Sequence, residues 1–112
     1  MCLFCKIAAK QIPSKVLFED DDLLAFHDIN PGAPTHVLII PKEHLGSLDE
    51  ARPEHAALLG KLMLAAPRAA ALTGLTRGGW RLVVNTGADA GQSVLHLHLH
   101  VLGGRAMAWP PG

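Results

Sequence analysis

Three histidines at alternate positions are the residues whose types and spacing most directly indicate chemistry. His96, His98 and His100 lie in the segment VLHLHLHVL, residues 94–102. Alternation with a period of two is typical of a half-buried strand, and it places the three imidazoles on one face. Each buried ring needs a hydrogen-bond partner, so three of them on one face indicate a reactive or ligand-binding surface.

Two kinds of chemistry are open to such a face. Neutral imidazole is the commonest metal ligand in proteins, and histidines paired on a strand are a common zinc arrangement. Alternatively, one imidazole acts as a nucleophile or general base while its neighbours orient it. The residues that precede the histidines bear on this choice.

A polar loop with two glycines, NTGADAGQS at residues 85–93, precedes the histidines. Glycine adopts positive φ and has no side chain in the way, so backbone N–H groups can converge on an anion. Asn85 and Ser93 can add side-chain donors. Phosphate oxygens need many donors, whereas zinc needs only a few lone pairs, and the loop therefore favours a phosphate ligand.

Length and composition limit the remaining function classes. At 112 residues, 49% of them apolar, the chain is expected to form a single domain, residues 1–112. Ten basic and ten acidic residues balance without long runs of either sign, which argues against a nucleic-acid partner. No apolar run is long enough to span a bilayer, so we expect no membrane association.

The N-terminal segment carries a Cys-x-x-Cys pair, Cys2 and Cys5. The segment does not have the pattern of a secretory signal, so a cytoplasmic location is expected, where thiols stay reduced. Two cysteines cannot provide a disulfide framework for the whole chain. They are therefore expected to be free thiols or metal ligands.

The elements that must position these residues follow from the hydrophobic pattern. A short helix is predicted at residues 3–10, with Leu3, Phe4 and Ile7 on one side. Strands are predicted at residues 16–19, 23–28, 36–41, 80–85 and 94–102. This order predicts an α+β fold with a mainly antiparallel five-stranded sheet, one long helix and a short N-terminal helix.

The long helix is predicted at residues 52–73, with Pro53 in its first turn and Gly74 as its C-terminal cap. Pro67 lies inside it and is expected to kink or split it, because proline lacks the amide donor. Its buried stripe is expected to consist of Leu58, Leu59, Leu62 and Met63.

The motifs together resemble those of the histidine triad (HIT) nucleotide-binding proteins. HLHLHVL at residues 96–102 fits the pattern of that family, in which histidines alternate with apolar residues. FHDI at residues 26–29, PTH at 34–36, PKEH at 41–44, GQS at 91–93 and WPPG at 109–112 resemble its Hint branch. The resemblance covers nearly the whole chain and implies a homodimeric, HIT-like nucleoside phosphoramidase that binds purine mononucleotides.

The resemblance also implies a role for each matching residue. His98 would be the nucleophile that attacks the α-phosphorus of a nucleoside 5′-phosphoramidate or aminoacyl-adenylate, forming a covalent nucleotidyl-histidine that water cleaves. His36 would orient the triad, and Ser93 would assist the leaving amine. His100 would donate to a non-bridging oxygen, with further contacts from Asn85, Gly91, Gln92 and Ser93. No cofactor would be required for this catalysis.

The remaining implied roles concern the nucleoside and the leaving group. Asp28 would accept hydrogen bonds from the ribose hydroxyls. The base would occupy an apolar slot formed by Leu3, Phe4, Ile7, Phe26 and Ile29. Trp109 would reach the partner subunit's site and help to select the leaving group.

Some bacterial-type relatives in this family carry a structural zinc. By resemblance, its ligands here would be Cys2, Cys5, His44 and His96, which form a chemically sound tetrahedral set. The alternative is a pair of inert thiols at a frayed terminus.

Three other functions compete with the phosphoramidase. One is hydrolysis of dinucleoside polyphosphates, against which the WPPG ending argues. Another is a nucleotide- or partner-binding module with only incidental hydrolysis, and the third is a metal-dependent enzyme that uses the triad as ligands. The presence of His36, His98, His100 and Ser93 favours a catalytic protein.

Overall fold

The computed structural model describes all 112 residues. The elements are helix α1 (Leu3–Ala8), strands β1 (Val16–Glu19), β2 (Leu23–His27) and β3 (Thr35–Pro41), helix α2 (Ala56–Leu72), and strands β4 (Trp80–Val84) and β5 (Leu99–Gly103). Two short 3₁₀ turns, Leu48–Glu50 and Pro53–His55, lead into α2. The predicted α+β fold, with its long and short helices, is confirmed.

The five strands form one antiparallel sheet in the order β1-β2-β3-β5-β4. The central strand β3 pairs with β2 on one side and β5 on the other, and its last five residues are all buried. Both faces of the sheet are covered, which explains why β3 is a nearly continuous apolar run.

Side chains alternate between two cores on opposite faces of the sheet. One core packs the sheet against α2 and includes Val37 and Ile39 of β3 and Leu99 and Val101 of β5. The smaller core packs the other face against α1 and consists of Phe4, Ile7, Leu24, Phe26, Leu38 and Ile40. Because β5 alternates in the same way, its histidine faces the side of α1.

The histidine strand is shorter than predicted. The prediction was residues 94–102, but β5 begins at Leu99, opposite Ile39 of β3. Continued in the same register, the pairing would join His98 to Ile40 and then Leu97 to Pro41, which has no N–H to donate. Instead the Leu97 N–H donates to the Leu45 carbonyl at 2.6 Å, and the chain leaves the sheet. Leu97 nevertheless belongs to the α2 core, as the alternation requires.

Helix α2 departs from prediction in two respects. It continues through Pro67 without a break, and Pro67 is exposed, so the expected split is wrong. Met63 is 56% exposed rather than buried, so its place in the predicted stripe is also wrong. Leu62 is buried, and the stripe continues through Ala65, Ala66, Ala69 and Ala70. Gly74 ends the helix with φ of 78°, as predicted.

Helix α1 is shorter than predicted, because Lys10 adopts a φ of 63° and takes the chain out of the helix. At its other end the Cys2 sulfur accepts a hydrogen bond from the Cys5 N–H at 3.2 Å. No helix in the structure combines the length and apolar character needed to cross a membrane.

Candidate active site and metal site

A cavity of about 600 Å³ opens between α1 and the face of the sheet that carries the histidines. Among the predicted site residues, those in its lining are Leu3, Phe4, Ile7, Phe26, Asp28, Ile29, Ser93, His98 and His100. The sequence did not indicate the segment after α1, residues 12–15, which also lines it. No motif marks that segment, and only the packing of α1 on the sheet brings it there.

His98 is 4% exposed and lies at the wall of this cavity. Its Nδ1 lies 2.7 Å from the His96 carbonyl oxygen, which can only accept, so Nδ1 carries the proton in that contact. In the neutral ring, Nε2 therefore keeps its lone pair. The edge of the Phe4 ring meets the imidazole with centroids 5.0 Å apart and holds it against the sheet. The ring is thus oriented, with one nitrogen free to act as a nucleophile.

His36 and His100 form a directed chain of hydrogen bonds beside His98. The Gly32 N–H donates to His36 Nδ1 at 2.9 Å, so in the neutral ring the proton is on Nε2. His36 Nε2 lies 2.9 Å from His100 Nδ1 and donates to it. The His100 proton is then on Nε2, which is buried and has no hydrogen-bond partner.

The His100 Nε2–H lacks a hydrogen-bond acceptor, which a bound ligand could supply. A buried donor without an acceptor costs about 1–3 kcal/mol, so such groups in native proteins have a reason. His100 lines the cavity, and a phosphate oxygen placed there would accept from it.

Burial keeps this pair of histidines neutral. It lowers the pKa of His100 to about 4, with the neighbouring His98 and His36 contributing in the same direction. It also lowers the pKa of His36, although the Asp28 carboxylate 3.5 Å away opposes the shift. Both rings are therefore uncharged at neutral pH, as the hydrogen-bond chain requires.

The acidic and apolar walls of the cavity differ in how firmly they are held. Asp28 Oδ1 accepts from the Asn30 N–H at 2.8 Å, which fixes the carboxylate at the cavity wall. Phe4 and Phe26 are buried and meet edge to face at 5.7 Å. Ile29, in contrast, is 92% exposed and lies at the rim.

The loop before the histidines adopts the conformations that its glycines allow. Gly87 and Gly91 have φ of 85° and 83°. However, the Gly91 N–H donates to Ala88 within the turn. Gln92 is also occupied, because its side chain donates to the carbonyls of Gly46 and Val94 and accepts from the Gly87 N–H. These contacts brace the loop and leave Ser93 as its residue in the cavity lining.

Five predicted residues lie outside the lining of this cavity, namely His36, Asn85, Gly91, Gln92 and Trp109. Asn85 follows β4, and Gln92 lies behind Ser93 in the loop. Trp109, in the tail, is 82% exposed, and Arg81 donates to the neighbouring Ala108 carbonyl at 2.9 Å. Within one chain, Trp109 therefore does not reach the cavity.

A second cluster brings together Cys2, Cys5, His44 and His96, with all four ligand atoms within 4.8 Å of one another. The sulfur-to-Nδ1 distances run from 3.3 to 3.6 Å, and the two Nδ1 atoms are 3.1 Å apart. Zinc–ligand bonds of about 2.3 Å to sulfur and 2.0 Å to nitrogen imply tetrahedral edges of about 3.5 and 3.3 Å. The four atoms fit the corners of such a site.

His96 is held in the orientation of a metal ligand. Its Nε2 donates to the Pro41 carbonyl at 2.8 Å, so the Nδ1 lone pair faces the cluster. A histidine ligand usually gives its other N–H to a carbonyl or carboxylate in this way. The residues present therefore fit a zinc ion.

The three histidines of the triad are divided between the Cys/His cluster and the cavity. His96 Nδ1 faces the cysteines, whereas His98 and His100 belong to the cavity. Asp28, His36 and His100 also place ligand atoms within 4.8 Å, but the two rings face each other as a hydrogen-bonded pair. The three triad rings therefore do not converge on one ion, which disfavours their use as a single metal site.

Comparisons with known proteins agree with this geometry. The family model described as "HIT domain" matches residues 9–107. The chain is 50% identical to a crystal structure of a HIT family hydrolase from Legionella pneumophila, with a TM-score of 0.97 and complete coverage of both chains. A histidine triad nucleotide-binding protein from Candida albicans is 31% identical, with a TM-score of 0.83 and coverage of 98% of this chain and 83% of that one.

A 14 kDa zinc-binding protein from Zea mays is 51% identical over 112 aligned residues, 98% of this chain and 87% of that protein. The chain belongs to the HIT family. It has the fold of that family, and the predicted resemblance to the family is confirmed.

Proposed function

We propose that this protein is a nucleotide-binding hydrolase that cleaves nucleoside 5′-phosphoramidates and aminoacyl-adenylates through a nucleotidyl-histidine on His98. The orientation of His98 is the observation that carries this proposal. Its Nδ1 is bound to a carbonyl, and its ring lies at the wall of a cavity large enough for a nucleotide. The hydrolase from Legionella and the nucleotide-binding protein from Candida support the same class of activity.

The first step would be a displacement at phosphorus. For a phosphoramidate, His98 Nε2 forms a bond to the α-phosphorus while the bond from phosphorus to the amine breaks. The amine leaves with a proton, which Ser93 is placed at the cavity to donate or relay. The buried His100 N–H would donate to a non-bridging oxygen, and Asp28 would accept from the ribose.

The second step would return the enzyme to its starting state. Water attacks the phosphorus, the bond from phosphorus to His98 breaks, and the nucleoside monophosphate leaves. The electron pair of the broken bond returns to His98 Nε2 and leaves the ring neutral. One of the two water protons restores the donor of the first step, and the other leaves with the monophosphate or passes to solvent. Two displacements in sequence replace one more difficult displacement.

The test is a time course with an adenosine 5′-phosphoramidate that carries a fluorescent amine, followed by intact mass spectrometry. We expect amine release and a transient AMP adduct that maps to His98. His98→Asn should lower turnover by at least about 10³-fold, since it removes the nucleophile. Its thermal unfolding should remain cooperative. AMP binding without release or adduct would instead identify a nucleotide-binding module.

We also propose a structural zinc ion at Cys2, Cys5, His44 and His96. The fit of the four ligand atoms to tetrahedral edges supports it, as does the zinc-binding relative from Zea mays. Bound there, the ion would neutralise the thiolates and tie α1 to the sheet. The proposed reaction uses no bond to this ion.

Elemental analysis of purified protein tests the zinc proposal. About one zinc per chain is expected, and Cys5→Ser should lower that content. His55→Gln provides a matched control, because it removes a histidine that lies beside Glu43 and outside the cluster. Equal metal content in all three proteins would contradict the assignment.

We further propose that the protein is a homodimer. Helix α2 exposes Met63, Leu64 and Leu72, with exposed fractions of 56%, 75% and 56%. Such side chains on one helix are candidates for burial against a second copy. Trp109 would then be free to reach the partner's cavity, since it does not reach that of its own chain.

A further inference from the structure

Arg105, in the tail after β5, binds the turn that precedes β3. Its Nη2 donates to the Gly32 carbonyl at 3.1 Å. Its Nη1 lies 3.1 Å from the Ala106 carbonyl and 3.4 Å from the Met107 sulfur. Contacts to these three acceptors hold the guanidinium plane in place, although the side chain lies at the surface.

The close approach of tail and turn places Arg105 there. Gly104 has a φ of 95°, and a Cβ added to it would lie 2.8 Å from the Pro34 Cβ. Only glycine allows both this conformation and this contact. Arg105, the next residue, therefore lies close enough to donate to the Gly32 carbonyl.

The other side of the same glycine faces the histidines. The Gly32 N–H donates to His36 Nδ1, which leaves the His36 proton on Nε2 and directs it to His100. Arg105 and His36 thus bind the same residue, one through its carbonyl and one through its amide.

We propose that Arg105 is a positioning residue: by holding the Gly32 carbonyl, it keeps the Gly32 N–H on His36 and so sets the direction in which the His36–His100 pair donates. The catalytic part of this proposal rests on the proposed function of His98 and His100. Without Arg105, the turn can rotate away and His36 can exchange between its two tautomers. His100 would then point its proton at His36 for part of the time rather than at the phosphate.

The experiment compares Arg105→Met, which keeps most of the side-chain length, with the wild-type protein and Arg77→Met. Arg77 is an exposed arginine far along the chain from this turn, and its replacement matches the loss of one charge. Nitrogen-15 NMR of the histidine rings shows which nitrogen carries the proton. We expect one His36 tautomer, protonated at Nε2, in the wild-type protein and in Arg77→Met, and averaged signals in Arg105→Met.

Turnover provides the second readout. Arg105→Met should lower kcat by about tenfold while the affinity for AMP changes by less than about twofold, because the ring is misdirected rather than removed. Arg105→Lys can still donate to the carbonyl and should recover part of kcat. Wild-type tautomer signals in Arg105→Met would overturn the proposal, and so would a wild-type kcat.

A pair of variants at Gly32 tests the same link from the other side. Gly32→Ala keeps the N–H, and its Cβ would meet His36 Nδ1 at 3.7 Å, an ordinary contact. Gly32→Pro removes the N–H. Tautomer averaging in the proline variant alone is expected, and identical spectra would overturn the proposal. Because NMR needs no turnover, an inactive wild-type protein would refute the proposed reaction and leave the positioning proposal to be decided by the spectra.

Discussion

At the scale of single residues, the histidines differ in what binds their nitrogens. His96 donates through Nε2 and faces the cysteines through Nδ1, whereas His98 donates through Nδ1 to the His96 carbonyl. His100 accepts at Nδ1 and has a free, buried N–H. Three residues of one type, two positions apart, therefore differ in which nitrogen is left available, as their proposed roles of metal ligand, nucleophile and hydrogen-bond donor require.

The low pKa of His100 should make the protein less stable in acid. The folded ring has a pKa of about 4, below the ordinary value of 6.5, under the influence of burial, His98, His36 and the opposing Asp28. Between these values the unfolded chain binds a proton that the folded protein does not. The free energy of unfolding should therefore fall as pH drops through this window. The loss from this residue is at most about 3 kcal/mol at pH 4, because the ring is only half-buried and solvent screens part of the effect.

Denaturant unfolding of wild type and His100→Gln at several pH values measures this effect. Both proteins keep the cysteine cluster, so its own acid sensitivity cancels in the difference between them. The wild type should lose more stability than the variant between pH 6.5 and 4. Parallel curves would contradict a lowered pKa of the half-buried His100.

At the scale of elements, α1 belongs to both sites. Cys2 and Cys5 lie at its start, and Leu3, Phe4 and Ile7 on the same short helix line the cavity. Phe4 also contacts His98 edge to face. A helix of 6 residues has little stability of its own. Contacts of Cys2 and Cys5 at its start therefore also hold the residues of α1 that line the cavity.

Loss of one sulfur ligand should therefore weaken nucleotide binding at a distance. In Cys5→Ser, we expect the Kd for AMP to rise about three- to tenfold, measured by calorimetry with zinc present. Lys6→Ala is the control, because Lys6 is the exposed neighbour of Cys5 in the same helix. Equal affinities for AMP in the two variants would show that the cysteine cluster does not influence the cavity.

The pattern of apolar residues was enough to predict the five strands and the two helices. It did not predict that β5 begins at Leu99, because this depends on Pro41, which is distant in sequence and lies two residues beyond Ile39, the last residue of β3 that pairs with β5. The occupied side chain of Gln92 and the segment at residues 12–15 depend likewise on tertiary contacts. Periodicity also cannot distinguish a helix face buried within one chain from one left exposed, as at Met63.

At the scale of the whole molecule, the exposed apolar side chains of α2 predict self-association. The formal net charge is zero, so there is little repulsion between copies. We expect light scattering to show a dimer at micromolar concentration, and Leu64→Glu to shift it towards the monomer by placing a charge in the contact. Leu48→Glu, at a 42% exposed position outside α2, should remain dimeric. A monomeric wild type would contradict this prediction.

His96 connects the two sites, because its ring belongs to the cysteine cluster and its carbonyl accepts a hydrogen bond from His98. A metal ion at the cluster could therefore report spectroscopically on the reaction. Cobalt(II) occupies tetrahedral sulfur and nitrogen sites and is coloured and paramagnetic, unlike zinc. His96 would bind it through the ring while its carbonyl holds His98 Nδ1 at 2.7 Å. Modification of His98 by a nucleotide should therefore shift the visible absorption of the cobalt protein, and a single turnover could be followed without a labelled substrate.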